Sequence, residues 1–598
     1  MQPTTQTKPA SSFRTDGVAL DRAVHVSPGT GADLSLRSIL AHCRSAFLGV
    51  ALFSCIINLL MLTGPLFMMQ IYDRVLTSGS IPTLIALLLL VTGLYIFYAL
   101  FEVLRSRILI KAGEYLDQRL SPTVFQTILA QPLEGRSQER SSSLVRDMDT
   151  VRKFLSGTGP LAFFDMPWTP IFLAVIFVFH PVLGLIAAGG AAILLAIAIV
   201  SEFINRGLVD EASVLQARRS HMAGSSQKNA ETARAMGMTG ELERRWSEIA
   251  STYLQLNGRA SNRTGVLSSV TKALRLFMQS AMLAAGAWLA ILQEVSPGTI
   301  IAASIILSRA LAPIELAVGN WRGFLAARQS SQRLKSLLKR PEHRATTALP
   351  APCKTLRLSG VAVSPPASSA PTILGVDFTL NAGDALGILG PSGSGKSTLV
   401  RAMAGIWPTI RGDIRLDGAM LEHWDPDRLG PHIGYLPQSL DLFAGSIAQN
   451  IARLDPAASD GDIIEAAKLA GVHDLIVSLA EGYDTEIGEG GHILSVGQRQ
   501  RIGLARALYG KPFLILLDEP NSNLDQAGEK ALTKAIETMR SHGSIVVVVA
   551  HRPSAVEAVS HILMIDRGRQ LVFDTKDRLN RTRETAAGLV TPVTAAAE

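Results

Sequence analysis

Cysteine is scarce in this chain. Cys43, Cys55 and Cys353 are the only three in 598 residues, and their spacing matches neither a zinc site nor an even disulfide framework. Two lie in or beside a long apolar segment and one in a proline-rich stretch, so they read as small apolar fillers. Residues 1–35 lack the apolar core of a signal peptide. They are polar and rich in Thr, Ser and Gly, which predicts a disordered start on the cytoplasmic side. No motif that reads RNA or DNA is present, so the formal net charge of +7 does not point to nucleic acid. Much of the basic excess sits beside long apolar segments, where it suits an anionic lipid surface.

Apolar sequence is abundant and unevenly spread. A hydrophobic content of 47% is high for a soluble protein. Six apolar segments, at about 45–69, 82–103, 160–179, 181–200, 266–292 and 298–318, are each near the length a membrane-spanning helix needs. Segments 82–103 and 181–200 are almost free of charge over most of their length, which argues against a buried helix of a soluble domain. Basic residues set the orientation. The connection before the second segment carries only Arg74, and those at His180-Pro181 and Gln293–Pro297 carry no Lys or Arg, whereas 104–159 and 201–265 carry nine each. The two basic stretches are therefore expected in the cytoplasm, and an even number of spans puts both chain ends there too.

These two stretches are too long for loops and read as helical extensions of the spans. Arg146–Leu155 and Gln227–Arg234 are candidate contact helices at their turning points. Arg309 is about 11 residues into the sixth segment, where an unpaired charge is expensive, so it is expected to face the interior of a dimer, a water-filled cavity or a partner such as Glu315. Lys272 and Arg275 are spaced to share one face of the fifth helix.

The second half carries nucleotide chemistry. Gly390-Pro391-Ser392-Gly393-Ser394-Gly395-Lys396-Ser397 fits the phosphate-binding pattern G-x-x-x-x-G-K-[ST]. Glycines let backbone N–H groups turn inward around phosphates. Lys396 can reach the β- and γ-phosphates and the Ser397 hydroxyl can ligate Mg²⁺. The apolar run Ala385–Leu389 before the loop reads as a buried strand, and Thr398–Met403 after it as a helix start whose N-terminus faces the anion. Phe513–Leu517 reads as a second buried strand, ending in Asp518-Glu519. Asp518 suits Mg²⁺ and Glu519 suits the general base that polarises the attacking water.

Between these elements lies Leu494-Ser495-Val496-Gly497-Gln498-Arg499-Gln500, and here the chain resembles the ATP-binding cassette (ABC) family. The signature of that family is L-S-G-G-Q-like, with Val496 replacing one Gly. The resemblance implies that Ser495, Gly497 and Gln498 meet ATP held by a second subunit, hence a homodimer that sandwiches two nucleotides. Gln438, 42 residues after Lys396, resembles the glutamine that contacts Mg²⁺ and the membrane domain. Ser522–Asp525 resembles the D-loop, with Asp525 at the nucleotide interface, and His551 the switch histidine at the γ-phosphate. Thr485–Gly491 resembles the X-loop of exporters. One element departs: the usual adenine-stacking aromatic is missing from Val361–Pro366, which puts base selectivity in question.

The order of elements implies a multi-domain membrane protein. An all-α six-helix transmembrane domain of the type I ABC exporter fold (36–337) follows the polar start (1–35). A linker (338–354), an α/β P-loop nucleotide-binding domain (355–580) and a flexible tail (581–598) complete it. Met69–Val75, Phe163–Pro170 and Ala302–Pro313 resemble the permease-ATPases of bacterial type I secretion, with the PrtD-type exporters of RTX proteases most similar. That resemblance implies an inner-membrane ATPase that passes unfolded proteins with C-terminal signals to a periplasmic adaptor and a TolC-like outer-membrane channel. The chain leaves no room for the cysteine-peptidase-like N-terminal domain of haemolysin exporters, in line with the PrtD type. An exporter of lipids, drugs or peptides is the alternative on the same fold, and a cassette that only gates or regulates is a further one.

Overall fold

The computed structural model describes residues 44–133, 138–337, 349–366, 368, 370–491, 493–550, 557–579 and 581. The polar start at 1–35, most of the expected linker, His551 and nearly all of the expected tail lie outside the described residues. The chain divides into two compact units. One comprises the described residues up to Ser121 with Asp147–Asp210 and Leu256–Ser336. The other comprises Pro122–Arg146, Glu211–Gln255 and the remainder from Leu337 on. The division does not follow the linker alone, because the far parts of the long helices group with the nucleotide-binding half.

The chain from Arg44 to Leu337 is helical. In chain order the helices are α1 (Arg44–Leu60), α2 (Thr63–Gln70), α3 (Leu76–Ser78), α4 (Ile81–Leu133), α5 (Gln138–Ser156), α6 (Gly159–Asp165), α7 (Thr169–Phe179), α8 (Pro181–Lys228), α9 (Ala230–Ala235), α10 (Thr239–Ile291) and α11 (Pro297–Leu337). Among the described residues six stretches are long and apolar enough to cross a membrane: Arg44–Ser78, Ile81–Gln131, Gly159–Phe179, Pro181–Val200, Thr239–Ile291 and Pro297–Ser336. Four of these helices run on well past the apolar segments, as their polar continuations require. Lipid supplies no hydrophobic drive between helices, so close packing must hold them together. The core accordingly combines Phe172, Ile176 and Leu183 with small residues such as Ala187, Ala191, Ala303 and Ala310.

Two sequence motifs act here as polar clasps. A π-helical turn at Ile71–Val75 aims Asp73 at the start of α11, where its carboxylate accepts from the Gly298 N–H at 2.8 Å and from the Ser296 hydroxyl at 2.6 Å. A Cβ on Gly298 would lie 2.6 Å from that carboxylate. The chain between α6 and α7 bends through a 3₁₀ turn at Met166–Trp168, imposed by Pro167 and Pro170. At the bend Asp165 accepts from Arg105 at 3.0 and 3.2 Å and from Asn58 at 2.9 Å. Arg105 also donates to Ser54 at 3.0 Å and to Glu102 at 2.8 Å. Arg105 is only 3% exposed, so the two carboxylates offset the cost of burying it.

The partner expected of Arg309 and the helix expected at Arg146–Leu155 change. Glu315 pairs with Arg275 at 3.0 Å, not with Arg309, and Arg275 also donates to Ser308 at 3.1 Å. Arg309 is exposed on the single chain. Lys272 is exposed while Arg275 is half-buried, so their common face is only partly covered. Arg146–Leu155 is not a separate helix at a turning point. It is part of α5, where Asp147 is buried and bonded to Ser330 and Arg333 of α11. The other candidate, Gln227–Arg234, covers the end of α8 and most of α9, the six-residue turn between α8 and α10.

The second unit contains a ten-stranded sheet: β1 (Thr355–Val363), β2 (Ile373–Asn381), β3 (Ala385–Leu389), β4 (Thr409–Leu416), β5 (Ala419–Met420), β6 (Ile433–Leu436), β7 (Leu514–Asp518), β8 (Ile545–Val549), β9 (His561–Asp566) and β10 (Arg569–Thr575). The order is β5-β4-β1-β2-β10-β9-β3-β8-β7-β6. Every residue of β7 and β8 is buried, as a parallel strand covered on both faces demands. β2 alternates over most of its length, as suits a one-faced antiparallel strand. Helices α12 (Lys396–Met403), α13 (Pro426–Leu429), α14 (Ile447–Ile451), α15 (Asp460–Leu469), α16 (His473–Val477), α17 (Val496–Leu508) and α18 (Gln526–Ser541) complete the unit. Two apolar cores result. One lies under α12 and the antiparallel strands, and the other joins α14, α15, α17 and α18 to the opposite face of the sheet.

Candidate nucleotide-binding and catalytic site

Parallel pairing gathers the site. β3 pairs with β8, β8 with β7 and β7 with β6, all in parallel, so the loops after these strands leave one edge of the sheet. The phosphate loop follows β3, Asp518 ends β7 with Glu519 next, and Gln438 is two residues beyond β6. This is the edge where open parallel sheets bind ligands.

The loop is built for close backbone approach. Gly390, Gly393 and Gly395 have φ of 158°, 77° and 99°. A Cβ on Gly390 would lie 2.1 Å from the Ile565 carbonyl oxygen, and one on Gly395 would lie 2.6 Å from Ile373. Lys396 begins α12 and curls back into the loop, with Nζ donating to the carbonyl oxygens of Gly390 at 2.9 Å and Pro391 at 2.8 Å. Burial pushes its ammonium below the ordinary lysine range, while Glu519 and Asp518 pull it back up. Thr398 is buried too, and the Ser394 hydroxyl is buried without a hydrogen-bond partner among the described residues. Pro391 and Ser392 form the exposed crown of the loop.

The acids are tightly placed. Ser397 Oγ donates to Asp518 Oδ1 at 3.1 Å. Asp518 is 1% exposed and its second oxygen, Oδ2, has no partner among the described residues. Burial raises its carboxyl above the usual range, and nearby Glu519 raises it further. The Ser397 bond, Arg401 and Lys396 act the other way. A buried carboxylate with one open oxygen beside a serine hydroxyl is the donor set a hard divalent cation takes. The residues therefore fit Mg²⁺. Glu519 has φ of 53°, a left-handed conformation unusual for a side chain of its size, and its N–H donates to the Val549 carbonyl at 3.1 Å. The strain turns the chain sharply out of the buried strand directly after Asp518.

The signature segment forms a reciprocal cap. Ser495 is the N-cap of α17: its hydroxyl accepts from the Gln498 N–H at 3.3 Å while Gln498 Oε1 accepts from the Ser495 N–H at 2.8 Å. Val496 is already helical and 53% exposed, so this position does not demand glycine. Gly497 does: a Cβ there would lie 2.8 Å from the Asn523 carbonyl oxygen. The D-loop runs directly against the signature helix. Asp525 caps α18 through the Gly528 N–H at 2.8 Å and accepts from Arg501 of α17 at 2.6 Å. The Gly528 N–H, then Arg501, holds its carboxyl below the usual range.

Gln500 was quoted in the signature run but given no role by sequence reasoning. It is buried, and its Nε2 donates to the Pro520 carbonyl at 2.7 Å and to the Glu519 carbonyl at 3.3 Å. One α17 side chain thereby grips the backbone of the expected general base. Only its apolar-facing place two residues after Gln498 could have signalled this. The structure therefore brings Lys396, Ser397, Asp518 and Glu519 together. It places Ser495, Gly497, Gln498 and Asp525 in a second cluster around α17 and the D-loop. Gln438 is exposed, and His551 lies outside the described residues.

Comparison with known proteins agrees with this geometry. A family model described as ABC transporter matches residues 373–522, and one described as ABC transporter transmembrane region matches 47–311. The chain is 50% identical over 554 residues to the type I secretion system ATP-binding protein PrsD of Rhizobium meliloti (strain 1021), covering 92% of this chain and 95% of that one. It is 30% identical to the exotoxin translocation ATP-binding protein PaxB of Pasteurella aerogenes, over 88% of this chain and 74% of that one. It is likewise 30% identical to the leukotoxin translocation ATP-binding protein LktB of Mannheimia haemolytica, over 88% and 75%. In fold it resembles a bacterial Atm1-family ABC exporter solved with ATP bound, at a TM-score of 0.76 and 23% identity, over 93% of this chain and all of that one. The chain therefore belongs to the ABC transporter family, as a multi-pass membrane protein of the type I secretion group whose ATP-binding domain is an ATPase coupled to transport.

Proposed function

We propose that this ATPase drives the export of unfolded proteins bearing C-terminal signals. In this reading it sits in the bacterial inner membrane as a homodimer with both termini in the cytoplasm, and delivers cargo to a periplasmic adaptor and a TolC-like outer-membrane channel. The basic stretches at 104–159 and 201–265 support the orientation. One phosphate loop and one signature per chain support the dimer, in which Ser495, Gly497, Gln498 and Asp525 of one copy would close on nucleotide held by Gly390–Thr398 of the other. Ser397, Asp518 and Gln438 would hold Mg²⁺, which would neutralise charge developing on the phosphates. Lys396 would leave its own loop carbonyls to bind phosphate oxygens. Glu519, fixed by the Gln500 clasp on its backbone, would take a proton from the attacking water, with His551 at the γ-phosphate.

The open, buried oxygen of Asp518 beside Ser397 is the observation that carries the catalytic part. The extent of likeness to a type I secretion protein carries the transport part. The test compares the culture medium of a deletion strain restored with the wild-type chain or with Glu519→Gln. A set of secreted proteins that returns only with the wild-type chain is expected. An unchanged medium, together with altered membrane lipid, would replace protein export with lipid transport.

A further inference from the structure

A groove between the start of α1 and the middle of α4 belongs to no part of the ATPase machinery. It is open to its surroundings and holds about 360 Å³, lined by Ala46 from α1 and by Leu104, Arg107, Ile108, Lys111 and Ala112 from α4. Helical spacing explains the arrangement. Leu104, Ile108 and Ala112 recur every four residues and make one apolar stripe. Arg107 and Lys111 make a basic stripe beside it. Arg107 is exposed and has no ion-pair partner among the described residues. Lys111 touches Glu114 at 2.7 Å, but both side chains are well exposed, so that pair is readily exchanged.

Depth narrows the choice of ligand. At about 1.5 Å per residue, Arg107 and Lys111 lie about 39 and about 45 Å along α4 from Ile81. An ordinary helix tilt of about 20° reduces these depths to about 37 and about 42 Å. The hydrocarbon core is about 30 Å thick and the headgroup layers extend the bilayer to about 40–45 Å. If Ile81 marks one surface, the two cations stand in the headgroup layer of the opposite one. Leu104 lies about 4–5 Å nearer the membrane centre than Arg107 and brings the stripe to the edge of the acyl region, while Ile108 lies level with the two cations. An exposed guanidinium above an apolar groove at this depth is complementary to a phosphate that carries an acyl chain.

We propose that this groove binds an anionic phospholipid from the leaflet on the Lys- and Arg-rich side, with its phosphate on Arg107 and Lys111 and an acyl chain against Ala46, Leu104 and Ile108. The test is native mass spectrometry of the intact protein titrated with palmitoyl-oleoyl phosphatidylglycerol or phosphatidylcholine. Two cations near the membrane surface, one shared with Glu114, should favour phosphatidylglycerol about tenfold. The double variant Arg107→Gln/Lys111→Gln should reduce the preference to about twofold while ATP turnover persists. Ala46→Trp should fill the groove and weaken both lipids. Equal binding of the two lipids by the wild-type protein would overturn the proposal, as would an undiminished preference in the double variant. If the double variant instead alters the oligomeric state and leaves lipid binding unchanged, the groove is a contact between copies of the chain. If inorganic phosphate displaces the lipid, the site is a simple anion pocket. Either result overturns the proposal.

Discussion

Each unit of the molecule buries an aspartate, and the two are treated in opposite ways. Asp165 sits at the bend between α6 and α7 with both oxygens engaged by Arg105 and a further bond from Asn58. Asp518 ends β7 with one oxygen bonded to Ser397 and the other buried without a partner among the described residues. An unsatisfied buried carboxylate is costly, and burial raises the Asp518 carboxyl accordingly. Asp165 is complete without a ligand and reads as structure. Asp518 keeps one oxygen open, and in the proposed function that oxygen would take the cation. A buried charge is thus informative through the bonds it fails to make.

The largest expected effect lies beside Asp518. Glu519→Gln should retain ATP binding and lower hydrolysis by about a hundredfold or more, the usual contribution of a general base. Steady-state turnover and equilibrium nucleotide binding on the purified protein check both halves, and near-normal turnover would remove Glu519 from that role. Breaking the paired aspartate should act on the fold instead. Arg105→Ala leaves Asp165 without its cation and should cost about 3–5 kcal/mol, whereas the double variant Arg105→Met/Asp165→Leu should recover most of that loss. Unfolding midpoints of the three proteins measure this. An Arg105→Ala protein as stable as the wild type would mean that the buried cluster does not hold the bend.

The contrast was only half legible in the sequence. The phosphate loop, Asp518 and Glu519 are local in the chain, and the apolar runs before them fix the strands that place them. Six apolar segments likewise announce six helices. Pairings between helices leave no such trace. Arg275 meets Glu315 and Asp147 meets Arg333 across helices, so the depth of Arg309 alone suggested it for Glu315, and nothing in the sequence tied Asp147 to Arg333. The left-handed turn at Glu519 was equally invisible, because glycine is the residue that usually signals it.

A smaller effect concerns the base of the nucleotide. Val361–Pro366 supplies no aromatic platform for the base. ATP and GTP should therefore bind within a few-fold of each other. Pro365→Tyr should tighten ATP by roughly tenfold, within the range of about 1–3 kcal/mol for stacking a base on an aromatic ring. Titration with fluorescent analogues of both nucleotides measures it. Strong discrimination by the wild-type chain would place the base on another surface.

Asp518 also makes a prediction of defined sign in pH. Its folded pKa is raised above the unfolded value, so its protonated form favours the fold. As pH rises from the unfolded value through the folded one, that contribution is lost. Asp518→Asn should remove the loss and make the nucleotide-free protein slightly more stable at neutral pH while ending hydrolysis. The most direct measurement is thermal unfolding of the hydrolysis-deficient Glu519→Gln protein with and without saturating Mg²⁺ and ATP. We predict a rise of several degrees that depends on Mg²⁺, disappears when Asp518→Asn is added, and persists when Arg105→Met/Asp165→Leu is added instead. A Mg²⁺-dependent rise that survives Asp518→Asn would contradict the assignment of the open oxygen to the cation.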